Sequence, residues 1–111
     1  MTANEYQRLA MKTLNPALDR KDVLIDSVMG LCGESGEVID IVKKWLGEGH
    51  ELDKARLVKE LGDVAWHLAE AATALDIPLE DVLRGNLEKL RARYPEGFSV
   101  ERSLDRTAEE Q

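Results

Sequence analysis

Gly33-Glu34-Ser35-Gly36-Glu37-Val38, followed about two dozen residues later by Lys59-Glu60-Leu61-Gly62-Asp63-Val64, decides how this chain reads. Each stretch carries two carboxylates three positions apart inside a longer amphipathic segment. Positions i and i+3 share a helix face, so each pair aims its oxygens in one direction. If the two helices face each other, four acids converge. Two bare carboxylates about 4 Å apart repel by roughly 4 kcal/mol at an effective dielectric near 20. A hard divalent cation, Mg²⁺ or Mn²⁺, is the counter-charge such an all-oxygen set suits, and it brings phosphates with it.

The segments around these pairs read as helices throughout. Thr2-Ala3-Asn4-Glu5 is a capping-box pattern, which predicts a first helix from about Ala3 to Leu14, ended by Asn15-Pro16. The second helix starts between Asp19 and Asp22 and reaches Leu46, before a loop containing Gly47, Gly49 and His50. Asp53 caps a third helix that runs to about Leu75. Pro78 fits the first turn of a fourth, which stops before Pro95. Residues 1–98 form one domain, and the polar tail 99–111 follows, with the stretch from Glu96 onward expected to be extended or partly disordered. No strand-like alternation persists. The fold class is all-α, a four-helix chain.

Helical-wheel geometry sorts the faces. On the third helix, Leu57, Leu61, Val64, Leu68, Ala71 and Leu75 form an apolar stripe. Arg56, Glu60, Asp63 and His67 form a polar stripe beside it, and Val58, Ala65, Ala69 and Ala72 a smaller apolar face. The apolar arc of the second helix is wider than one neighbour covers, which predicts bundles completed by homo-oligomerisation, as a dimer or tetramer. Cys32 falls away from the acids and reads as a small buried hydrophobe. Gly30, Gly33 and Gly36 each cost about 1 kcal/mol against alanine inside a helix, which implies either close helix approach or room for a ligand. On the fourth helix, Asn86, Lys89 and Arg93 form a stripe at the core edge, while Glu80, Arg84, Glu88 and Arg91 make a solvated face of i,i+4 and i,i+3 pairs.

Composition narrows the classes. With Lys+Arg 15 against Asp+Glu 22, the net charge of −7 excludes a general surface for nucleic-acid polymers, which would be basic. A small phosphorylated ligand remains compatible, because a metal and a few local cations invert the field. One cysteine excludes an internal disulfide. No apolar run is long enough to cross a membrane and no signal-peptide pattern is present, so a cytoplasmic protein is expected. Di-iron bundles pair Glu with His at i,i+3, whereas His67 follows Asp63 by four. His67 either touches phosphate or is a partly buried histidine with a structural partner. Lys44 either steers phosphate or neutralises Glu37 or Asp40. Trp45 and Trp66 read as packing residues.

The stretch Gly30–Val38, then Lys59–Val64, then Asn86-Leu87-Glu88-Lys89-Leu90 and Arg93-Tyr94-Pro95-Glu96-Gly97-Phe98, resembles the MazG-like family of all-α nucleoside triphosphate pyrophosphohydrolases. The resemblance spans from about Tyr6 to Phe98. It implies Mg²⁺-dependent cleavage of a nucleoside triphosphate to a monophosphate and pyrophosphate. It implies metal ligation by Glu34, Glu37, Glu60 and Asp63, and substrate contacts from Asn86 and Lys89, to which the charge pattern adds Arg93, Lys44 and His67. Many members carry a second glutamate directly before the first motif acid, where this chain has Gly33. The general base is therefore open between Glu37 and direct attack by a metal-activated water. Two other readings stay in play: a relative acting on phosphoribosyl-ATP, and a non-catalytic bundle that senses nucleotide.

Overall fold

The computed structural model describes residues 1–106. Helix α1 spans Ala3–Ala10 and runs into a 3₁₀ turn, Met11–Thr13. Helix α2 spans Arg20–Gly47, α3 Lys54–Ala74, α4 Leu79–Arg93 and α5 Val100–Asp105. Among the described residues there is no strand, only an isolated bridge between Pro95 and Gly97. No helix among them is long and apolar enough to cross a membrane.

The caps follow the local chemistry. Thr2 Oγ1 accepts from the Glu5 amide, Asp19 Oδ1 from Asp22 and Asp53 Oδ1 from Arg56, so each N-terminus has one orphan donor satisfied by the side chain just before it. Helix α2 ends as the amides of Glu48 and His50 both turn back to the Lys44 carbonyl, with Gly49 at φ 75°. Helix α3 closes in the same fashion. The Ile77 amide reaches the Ala72 carbonyl at 3.0 Å, and Asp76 takes the left-handed position at φ 58°. That is the geometry of a Schellman cap, with aspartate where glycine is usual.

The chain divides into two compact units, Met1–Leu79 and Glu80 onward. In the first, α2 and α3 pack against each other and α1 lies on α3. Trp66 Nε1 donates to the Ala10 carbonyl and to Thr13 Oγ1 (2.9 Å), which secures the end of α1. Gln7 is a second tie: its amide nitrogen donates to Thr73 Oγ1 and the Ile77 carbonyl, and its oxygen accepts from the Leu79 amide at 2.7 Å. The α2–α3 pair is antiparallel, because partners across the seam keep a nearly constant sum: Gly30 meets His67, Glu37 meets Arg56, and Glu34 groups with Glu60.

The burial pattern corrects part of the sequence reading. The buried residues of α3 are Ala69, Glu70, Ala72 and Ala74, so the C-terminal half of the helix meets its neighbours most tightly, while Val58 of the smaller apolar face is exposed. The longer row is only partly covered in the single chain: Leu57, Val64, Leu68 and Ala71 are half-buried, and Leu61 is 51% and Leu75 56% exposed. Small residues let two backbones approach, whereas rows of leucine need more facing surface than one partner helix provides. Cys32, expected to be buried, is exposed. On α2, Ile25, Val28, Ile39 and Leu46 are exposed as well.

In the second unit, Arg84 on α4 pairs with Glu80 at 3.0 Å and Asp81 at 3.3 Å, the solvated face expected from the spacing. The rings of Tyr94 and Phe98 meet at a tilt of 50°, with centroids 5.4 Å apart, across the turn that follows α4. The segment expected to be extended instead holds α5, because Ser99 Oγ caps it by accepting from the Arg102 amide at 3.0 Å. The tail residues 107–111 lie outside the described residues.

Candidate metal and phosphate site

The α2–α3 seam brings Glu34, Glu60 and Asp63 together, with a carboxylate oxygen of each within 4.8 Å of the others. Three of the four acids singled out by spacing therefore converge. Glu34 and Glu60 approach closely enough to share a proton. That contact, followed by partial burial and by the charges of Glu34 and Asp63, pushes the Glu60 carboxyl above its ordinary range, with Arg56 opposing. Such crowding is unfavourable for three free carboxylates, and a divalent cation relieves it. An all-oxygen donor set fits Mg²⁺ or Mn²⁺ better than zinc or iron. Tyr6 of α1 stands near this group: burial, and then the charge of Asp63, push its phenol up.

The fourth acid, Glu37, lies outside that cluster. Its Oε2 is 3.8 Å from Arg56 Nη2, and both side chains are about half exposed. Gly33, beside Glu34, faces open space: a Cβ there would meet nothing within 4 Å. Lys44 is paired with Asp40 at 3.0 Å, and this hydrogen bond holds the Asp40 carboxyl below its usual range. Lys44 and Arg56 both line a cavity of about 270 Å³, shared with Ile41, His50, Glu51 and Asp53.

His67 has turned to a structural partner. Its Nδ1 is 2.9 Å from Oε1 of Glu70, its ring meets Trp66 edge-on at 5.0 Å, and it fills the notch left by Gly30. Burial raises the Glu70 carboxyl, His67 opposes, and the nearby Asp26 adds to the rise. Asp26 and Glu70 had no place in the sequence reading, although the spacing His67-x-x-Glu70 was visible there. Arg56 was read only as part of a polar stripe, yet it pairs with Glu37 of the first motif and its charge acts on Glu60 of the second. On α4, Asn86 and Lys89 are exposed. Arg93 is buried, and it lines a cavity of about 550 Å³ within the second unit, together with Arg102 and Asp105.

The family model of the MazG nucleotide pyrophosphohydrolase domain matches residues 25–98. The chain belongs to this family. The Gene 37 protein of Mycobacterium phage L5 is 42% identical over 73 residues, covering 62% of this chain and 64% of its own length. The chain thus spans somewhat under two thirds of the curated relative it matches. No solved structure matches the chain.

Proposed function

We propose that this chain is a Mg²⁺-dependent nucleoside triphosphate pyrophosphohydrolase, which converts ribo- or deoxyribonucleoside triphosphates to a monophosphate and pyrophosphate in the cytoplasm, as nucleotide-pool house-cleaning. The observation that carries this reading is the convergence of Glu34, Glu60 and Asp63 from two helices in a member of this family. When bound there, Mg²⁺ would neutralise phosphate oxygens and acidify a water.

The chain's own groups supply the rest. Glu34, Glu60 and Asp63 hold the ion, and Glu37 completes the set once it leaves Arg56, or acts as the base that takes a proton from the attacking water. Arg56, freed from Glu37, and Lys44 are then placed along one cavity to receive negative charge from the phosphate chain. Asn86, Lys89 and Arg93 of α4 are assigned to sugar, base and phosphate contacts in a homodimer or homotetramer. The exposed apolar rows of α2 and α3 supply the surface for such an assembly. Water adds to phosphorus, the anhydride between the α- and β-phosphates breaks, and one proton is released.

The test is pyrophosphate release with Mg²⁺ over a panel of canonical and damaged nucleoside triphosphates, with phosphoribosyl-ATP included to separate the related anhydride. A second reading draws on Gly33, which leaves this chain without the glutamate many relatives have there: a bundle that binds nucleotide without cleaving it. Calorimetric binding of a triphosphate with no product on chromatography would select that reading.

A further inference from the structure

Farther along the α2–α3 seam lies a second convergence that the proposed hydrolysis does not use. Asp26 of α2 and His67 and Glu70 of α3 each offer a donor atom, all within 4.8 Å of one another. Glu70 is 0% exposed, and a carboxylate is almost never so buried without a compensating partner. Its Oε1 meets His67 Nδ1 at 2.9 Å, but no N–H or O–H donor reaches its buried Oε2. Asp26, the other group that acts on this carboxyl, approaches it closely enough to share a proton, but as two ionised carboxylates neither can donate to the other. Two acids therefore face one imidazole, and the most deeply buried of the three groups keeps an oxygen that no donor reaches.

We propose that Asp26, His67 and Glu70 form a second cation site, which takes a divalent transition ion of the zinc class and is distinct from the oxygen-only triad. The His67 and Glu70 donors, 2.9 Å apart, need to separate by only about 0.5 Å to reach the roughly 3.4 Å that two ligands of a tetrahedral ion keep when the bonds are about 2.1 Å. One imidazole with two carboxylates selects Zn²⁺ or Co²⁺ over Mg²⁺, which prefers oxygen alone. Three protein ligands leave a coordination position open, and Asp26, the exposed member, gives the site its route to solvent. The ring is held for this purpose from two sides, by the Gly30 notch and by Trp66. An ion here takes the place of the proton between His67 and Glu70 and engages the unpartnered Oε2 edge.

The experiment measures Zn²⁺ binding by calorimetry and the visible absorption of Co²⁺ on the full chain, in the presence of excess Mg²⁺. Four proteins are compared: wild type, Glu60→Gln, Asp26→Asn and His67→Gln. Glu60→Gln should retain Zn²⁺ and the Co²⁺ spectrum, because the nitrogen-containing site is intact. Asp26→Asn and His67→Gln should each lower Zn²⁺ affinity by roughly tenfold or more and bleach the Co²⁺ bands. Asp26 is exposed, so its variant tests the site with the fold retained, as circular dichroism would verify. Loss of Zn²⁺ in Glu60→Gln with retention in Asp26→Asn would place the ion on the triad and overturn the proposal. Absence of Zn²⁺ binding in every protein would mean that Glu70 is satisfied by a proton, and would overturn it equally.

Discussion

Gly30 of α2 and His67 of α3 occupy one volume: a Cβ built on Gly30 would overlap the imidazole ring. The glycine in mid-helix is thus explained by close approach. Gly30→Ala forces His67 off Glu70, and overpacking of this kind costs about 1–3 kcal/mol. Gly33→Ala meets nothing, and it should stabilise the helix by up to about 1 kcal/mol. Thermal melts of the two variants should move in opposite directions.

Glu60→Gln removes a repelling charge while preserving shape. Turnover should vanish, while metal-free stability is kept or raised. The sign of the pH effect follows from the raised Glu60 carboxyl. A group of this kind stabilises the fold fully below the ordinary glutamate value of about 4.3, and that contribution is lost as pH rises through the higher folded value. In chelator, the melting temperature of the wild type should fall more between acid and neutral pH than that of Glu60→Gln. A variant that melts far below wild type without metal would contradict the crowding of these acids.

Magnesium should raise the melting temperature of the wild type. A ligand at a hundred times its Kd adds about 2.7 kcal/mol when it binds only the folded state. Glu34→Gln and Asp63→Asn should lose most of this increment. A shift that survives in both variants would put the ion elsewhere.

Arg56→Gln tests the ion pair with Glu37. Both side chains are about half exposed, so the stability change should stay within about 1 kcal/mol. Denaturant midpoints at unchanged slope read this change, and a loss well beyond it would mean that the pair is more than an exposed ion pair.

Asp76 holds a left-handed backbone at the α3 cap, at φ 58°. A non-glycine residue costs roughly 1 kcal/mol or more in that region. Asp76→Gly should therefore raise stability by about 1 kcal/mol, read from denaturant midpoints at unchanged slope.

Much of the architecture was legible from local chemistry. Thr2 and Asp53 marked helix starts by their short polar side chains, Asp19 bounded the start of a third, and the i,i+3 acids named the two helices whose seam brings Glu34, Glu60 and Asp63 together. The missing parts depended on non-local facts. Ser99 was a readable cap, but its helix is too short and polar to show a period. Asp26 and Glu70 become neighbours only through the register of α2 on α3, and a lone glutamate in a helix otherwise reads as solvated. Which residues of α3 are most deeply buried was not legible either, because Ala69, Ala72 and Ala74 are covered through closeness of approach rather than by side-chain size.

The Gly30 notch and the Glu34–Glu60 contact lie on the same seam, so the ring of His67 acts as an index pin. Sliding one rod past the other by a single turn would lift the ring from its slot and at the same stroke part the three clustered acids. On the proposed function, longitudinal alignment of the hairpin and cation affinity are one variable, and a mutation that loosens the former should be read out as a change in the latter.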